Sequence, residues 1–88
     1  MRVWEKNPNM LVPYYLMFSY LYYEKNISLI EDTEFDKLCQ TLLEKYDSVE
    51  HMHKHLVSKE ALTAGTGYDI VYTYMIKDSA MKLKESWK

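Results

Sequence analysis

Eighty-eight residues make one domain, and a chain of that length buries only about 60–65% of the surface its unfolded form exposes, which leaves little room for a large enzyme cleft. A net charge of −2 offers no general attraction to nucleic acid or to an anionic membrane. Two glycines and two prolines suit helices better than a hairpin-rich sheet, and a single cysteine, Cys39, excludes an intramolecular disulfide and fits a reducing, cytoplasmic setting.

Residues 1–9 are mostly polar with one large anchor, Trp4, expected to pack on the helical body or, alternatively, to meet a partner, and Asn7-Pro8-Asn9 is a stop signal. No basic region followed by an apolar run and a small-residue cleavage site reads as a signal peptide. The first helix is predicted to begin near Leu11, with Pro13 in the first turn, where amides lack helical partners. From Met10 to Tyr23 nearly every residue is apolar or tyrosine. This run falls short of the roughly 20 residues that span a bilayer. A helix apolar all round is covered on several sides, so it is either the central helix of the domain or a helix with one face against another protein. Glu24-Lys25-Asn26 ends it, and Ile27, Leu29 and Ile30 can tuck the connector Ile27–Glu31 back onto the helices.

The second helix, to about Tyr46, carries the clearest periodicity. Phe35, Leu38, Cys39, Leu42, Leu43 and Tyr46 share one face, opposite Asp36, Lys37, Gln40, Glu44 and Lys45. Asp32 is placed to cap its first amides, and Glu34 suits the dipole of the first turn. Phe35, Leu38, Leu42 and Tyr46 are expected to pack against Tyr15, Phe18, Leu21 and Tyr22, and Cys39 reads as a buried, inert thiol.

Asp47-Ser48 breaks the pattern, and a short helix from Val49 to about Leu56 is expected. It contains His51, His53 and His55, of which only His51 and His55 would share a helical face. Two ligands do not make a structural zinc site, so no metal is expected. Ser58–Ala64 suits one more helical turn. Residues 63–67, Thr-Ala-Gly-Thr-Gly, lack the lysine of a phosphate loop and a preceding strand, and read as a connector. Val71, Tyr72, Thr73 and Tyr74 favour a strand by propensity. A lone strand has no partner here, and Ile70, Tyr74, Lys77, Ala80, Met81 and Leu83 can follow a helix. A third helix over 68–86 is therefore predicted, its lysines a solvated end rather than a nucleic-acid contact. The expected fold is all-α, a helical hairpin joined by a third, C-terminal helix.

One string at the joint of the hairpin is more specific. Tyr22-Tyr23, then eight residues, then Asp32-Thr-Glu-Phe-Asp36 resembles the N-terminal "Ia" domain of bacterial NAD-dependent DNA ligases, which carries a Tyr-His pair and, at this spacing, an Asp-x-Glu-Tyr-Asp string before a leucine-bearing helix. Ile30 and Leu38 fit its apolar positions, and the likeness covers about residues 14–46. In that family the small helical domain grips the nicotinamide mononucleotide (NMN) half of NAD and closes over the adenylation domain. The resemblance implies NMN or NAD as ligand, a ligase-type adenylation domain as partner, and Tyr22, Tyr23, Asp32, Phe35 and Asp36 as binding residues. Two positions depart: Tyr23 stands where the family has His, and Phe35 where it has Tyr. Each change removes a polar group that would face the ligand.

The chain lacks the Lys-x-Asp-Gly motif on which the ligase family forms its adenylate, since Lys77-Asp78 has neither the spacing nor the glycine. It also lacks a nucleophile elbow. Asp32 and Asp36 could in principle pair as acid and base, but an exposed pair lacks the burial that moves a carboxylate toward neutrality. No catalysis is expected. Two readings follow. The first is a non-catalytic module that recognises a nucleotide in trans, with Tyr22 stacking on nicotinamide or ribose and the two carboxylates bonding hydroxyls or the amide. The second is a small interaction protein, a regulator, inhibitor or adaptor, that uses a tyrosine-rich surface.

Overall fold

The fold is built around one helix that is apolar on every side. In the computed structural model, which describes residues 3–51, 54–57, 59–64, 70 and 72–87, that helix is α2, Leu11–Lys25. Its apolar run leaves no face that water could cover cheaply, and the fold buries it accordingly: Leu11, Val12 and every residue from Tyr15 to Leu21 are buried. Pro13 lies in its first turn, as predicted.

Around α2 stand α3 (Asp32–Lys45) and α5 (Tyr74–Ser86), both packed directly on it, while α4 (Lys59–Ala64) packs on α3. A short α1 (Val3–Lys6) leads into a 3-10 turn over Pro8–Met10, and a second 3-10 turn covers Lys54–Leu56. The described residues contain helices and turns and no strand. The all-α reading of the sequence is therefore the observed class.

Residues 3–6, Val-Trp-Glu-Lys, without a helical signal of their own, nevertheless form a helix. Four residues cannot hold a helix alone. Burial of Trp4 supplies the difference: its ring is 5.0 Å from Tyr14 and 5.6 Å from Phe18, centroid to centroid.

α2 ends at Asn26, whose φ of 57° puts it in the left-handed region. The amides of Asn26 and Ile27 both donate to the Leu21 carbonyl, the latter at 2.8 Å. This closes the helix and turns the chain back. Asparagine visits this region far more readily than branched residues, for which it costs about 1–2 kcal/mol. Asn26→Val should lose about that much in thermal unfolding, whereas Asn26→Gly should keep the wild-type stability to within a few tenths.

α3 starts one residue differently from the sequence reading. Glu31, extended at φ −71° and ψ 154°, is the N-cap and makes no side-chain capping bond. Asp32 is the first helical residue. Its carboxylate is thus not the cap, and it acts on the helix through the dipole. Leu38, Cys39 and Leu42 are buried as expected, and Phe35, partly buried, stacks on Tyr15 of α2, whereas the partly buried Tyr46, expected against α2, meets Lys54, Val57 and Lys59. Tyr22 departs from its expected core place, at 46% exposed. The last turn of α2 runs beyond the region covered on all sides, so the side chain after Leu21 emerges.

Among the described residues, the segment after α3 does not form the short helix expected over 49–56, of which 52 and 53 lie outside the described residues. The Ser48 and Val49 amides both turn back to the Lys45 carbonyl, and the Glu50 amide donates to Asn9 Oδ1 at 2.9 Å. Helical structure next appears, among the described residues, in the 3-10 turn at Lys54. Tyr46 straps this segment down. Its hydroxyl donates to the Val57 carbonyl at 2.6 Å, and Lys54 and Lys59 lie over its ring at 4.8 and 5.4 Å. Lys59 also pairs with Asp47 at 3.1 Å. The predicted turn at the end of this region is α4. Thr63 and Ala64, which the sequence offers both to that turn and to the connector, close the helix, and 65–67 lie outside the described residues.

The third helix exists but is shorter than 68–86. Thr73, extended at φ −74° and ψ 161°, caps it by accepting from the Ile76 amide at 3.3 Å. Residues 70, 72 and 73 lie outside the helix; 68, 69 and 71 lie outside the described residues. Tyr74, expected on the apolar stripe, is 87% exposed, while Ile76 and Ala80 carry the buried face. Thr73→Ala should cost about 0.5–2 kcal/mol in denaturant unfolding through loss of that cap.

Burial holds three protons in the core. Burial, reinforced by the nearby Asp36 charge, pushes the Cys39 thiol from 9.0 to about 12. Burial likewise pushes the Tyr15 and Tyr72 phenols well above their ordinary range. The buried Ser19 hydroxyl makes no hydrogen bond among the described residues. All three groups keep their protons longer when folded. Their stabilisation is complete below the unfolded values and is lost as pH rises through the folded ones. Stability should therefore fall from about pH 9 toward about pH 12, as denaturant midpoints across that range would record, and Cys39 should resist alkylation until the chain unfolds.

Candidate functional site at the joint of the hairpin

The turn at Asn26 and the connector Ile27–Glu31 bring the end of α2 to the start of α3. Ile30 is buried, and Ile27 and Leu29 pack partly against the core, so the connector is held down as its apolar residues suggested. The Ser28 hydroxyl donates to the Ile30 carbonyl at 2.7 Å and shapes the bend before α3. Four residues apart on α3, Asp32 and Asp36 share one face.

Between these parts lies a cavity of about 240 Å³, lined by Phe18, Tyr22 and Tyr23 from α2, Ser28, Leu29 and Ile30 from the connector, and Asp32, Phe35 and Asp36 from α3. All five residues selected from the sequence, Tyr22, Tyr23, Asp32, Phe35 and Asp36, thus border the same space. Four residues complete it. Phe18, expected only in the core, stands one helical turn before Tyr22 and so shares its face. Leu29 and Ile30 read from sequence as packing residues, and Ser28 carries no signal there.

The wall is aromatic and the rim acidic. Tyr22 and Tyr23 meet edge to face at 4.9 Å and 83°. Phe35 stacks on the buried Tyr15 at 5.9 Å and 18°. Its ring is therefore anchored to the core on one side and borders the cavity on another. Asp32 and Asp36 also border the cavity, and both are exposed. The ion pairs Lys59–Asp47 and Lys82–Asp78 involve neither carboxylate. Such a site can stack a planar group, attract a cation through ring faces and carboxylates, and accept hydrogen bonds from hydroxyl or amide donors.

A second depression of about 340 Å³, between α1 and α3, is lined by Trp4, Pro8, Leu38 and mixed charges, and contains none of the selected residues. Among the described residues no group of three or more histidine, cysteine, aspartate or glutamate side chains could hold a metal ion. His51 lies outside any helix, His55 is in the 3-10 turn, and His53 lies outside the described residues, so no helical histidine face forms among the described ones. No helix of the described residues is long and apolar enough to cross a membrane. Comparisons with family models, curated proteins and solved structures return no match.

Proposed function

We propose that this chain is a non-catalytic nucleotide-recognition module that acts in trans, taking the NMN half of NAD at the joint of α2 and α3 in a cytoplasmic setting. The observation that supports it is the convergence of Tyr22, Tyr23, Asp32, Phe35 and Asp36 on one cavity. At about 240 Å³ the space is below the roughly 300–1,000 Å³ of pockets that enclose a drug-sized ligand. It takes one ring, and the ribose and phosphate stay at the mouth, within reach of the two carboxylates. A ligase-type adenylation domain is the partner that would cover that mouth. Calorimetric titration with NMN and with NAD tests the reading: saturable heat with either supports it, and no heat with both at millimolar ligand removes it.

The second reading, a small interaction protein, draws on a different observation. Tyr22, Tyr74 and Met75 are large apolar side chains exposed to 46%, 87% and 54%. Tyrosine and methionine are enriched at interfaces. In that case the chain would co-elute with its protein partner without nucleotide, and a Tyr74→Ser variant would lose the complex.

A further inference from the structure

Phe18 belongs to two structures at once. It borders the cavity at the joint, and it is 4% exposed within an aromatic cluster that does not. Trp4 meets its ring at 5.6 Å and 81°, and Trp87 meets it at 5.5 Å and 83°. Tyr14 adds a tilted contact at 5.7 Å. Trp4, Tyr14 and Trp87 are not lining residues of the cavity. Two tryptophans, one from α1 and one just after α5, therefore grip from outside a ring that the cavity presents on its inside.

We infer that Trp87 and Trp4 are positioning residues for this cavity: by clamping Phe18 edge-on, they set its buried wall. An edge-on aromatic contact fixes both the position and the tilt of the ring it meets. A close-packed interior passes a displacement on, because a vacated volume collapses only partly and neighbours shift toward it. Removing the Trp87 indole opens space beside Phe18. The Phe18 ring then withdraws toward that space, and the cavity widens without loss of any group that touches a ligand. α5 packs along α2, so its last turn is what delivers Trp87 to this place. The wall is set in this way whatever the cavity binds. Only the affinity arm of the test rests on the nucleotide reading.

The test uses the full chain and two substitutions. Trp87→Leu keeps apolar bulk and removes the ring edge, and Trp87→Phe restores an edge. In the ligand-free protein, methyl and aromatic NMR signals of Ile30, Tyr22 and Tyr23 at the cavity are compared with those of Val57 and Leu62 near α4. Trp87→Leu should move the cavity signals and leave the α4 signals in place, and Trp87→Phe should return them most of the way. Should Trp87→Leu fail to fold, Trp87→Phe and Trp4→Phe are read by the same signals, with smaller displacements at the cavity than the leucine variant would give. Cavity signals that stay at their wild-type positions overturn the inference. With NMN as probe, Trp87→Leu should weaken binding by about 2- to 30-fold, the range for substitutions that act on a site without touching its ligand, and Trp87→Phe should recover it. Wild-type protein that binds no NMN defeats the nucleotide reading, while the ligand-free signals still decide the role of Trp87.

Discussion

Leu42→Ala should destabilise the fold by roughly 2–5 kcal/mol, the range for a large aliphatic side chain removed from a packed core. Leu42 is fully buried on the face of α3 that meets the rest of the core. Its neighbours along that face, Leu38 and Cys39, are buried too, and α3 carries α4 on its flank. A void there cannot be filled by one local shift, because the buried stretch of α2 beside it is held by its own packing on other sides. Urea unfolding followed by circular dichroism measures the effect. A loss within experimental error would mean that α3 does not close the core. For a chain of this size such a loss is a large share of the total, since domains are stable by only about 5–15 kcal/mol.

The second large effect concerns binding. The double variant Asp32→Asn, Asp36→Ala should lose NMN affinity by at least about 100-fold, since each hydrogen bond to a charged group contributes about 1.5–3 kcal/mol. Stability should hardly change. Neither carboxylate is buried, and with Glu31 as the cap Asp32 gives α3 only its dipole contribution, about 0.3–1 kcal/mol. Calorimetry reads the affinity, and a melting curve confirms that the variant is folded. An assay of an NAD-dependent ligase, with wild type or variant added, reads the action in trans. If wild type and variant behave alike in both, the ligase-like reading is wrong and the interaction reading takes its place.

The hairpin is legible in the sequence because its signals are local. The spacing of Phe35 to Tyr46 defines a helix face, and the continuous apolar run of α2 can only be satisfied by cover on several sides. The five site residues are legible through a string of fixed spacing, and its two halves lie on either side of one turn. Phe18 is not, because nothing in a buried aromatic residue distinguishes a core contact from a cavity wall until the neighbouring helix is placed.

Other elements are decided by partners far along the chain. The residues after α3 have helical composition, and two distant contacts tie them to the body: Asn9 takes the Glu50 amide and Tyr46 reaches Val57. The stretch before Tyr74 offers both strand and helix, and there the choice is local: the Thr73 cap sets where the helix begins. Trp4 makes a helix of a four-residue segment that no local propensity supports. By itself the sequence determined the class of the fold, the two helices of the hairpin and the residues gathered at their joint, since periodicity, spacing and turn chemistry act over a few residues. The tertiary structure decided where Tyr22 emerges, which residue caps α3, and that tryptophans from α1 and from the end of α5 meet at Phe18. Those outcomes depend on which side chains fill the same volume, and packing is settled only when the whole chain is in place.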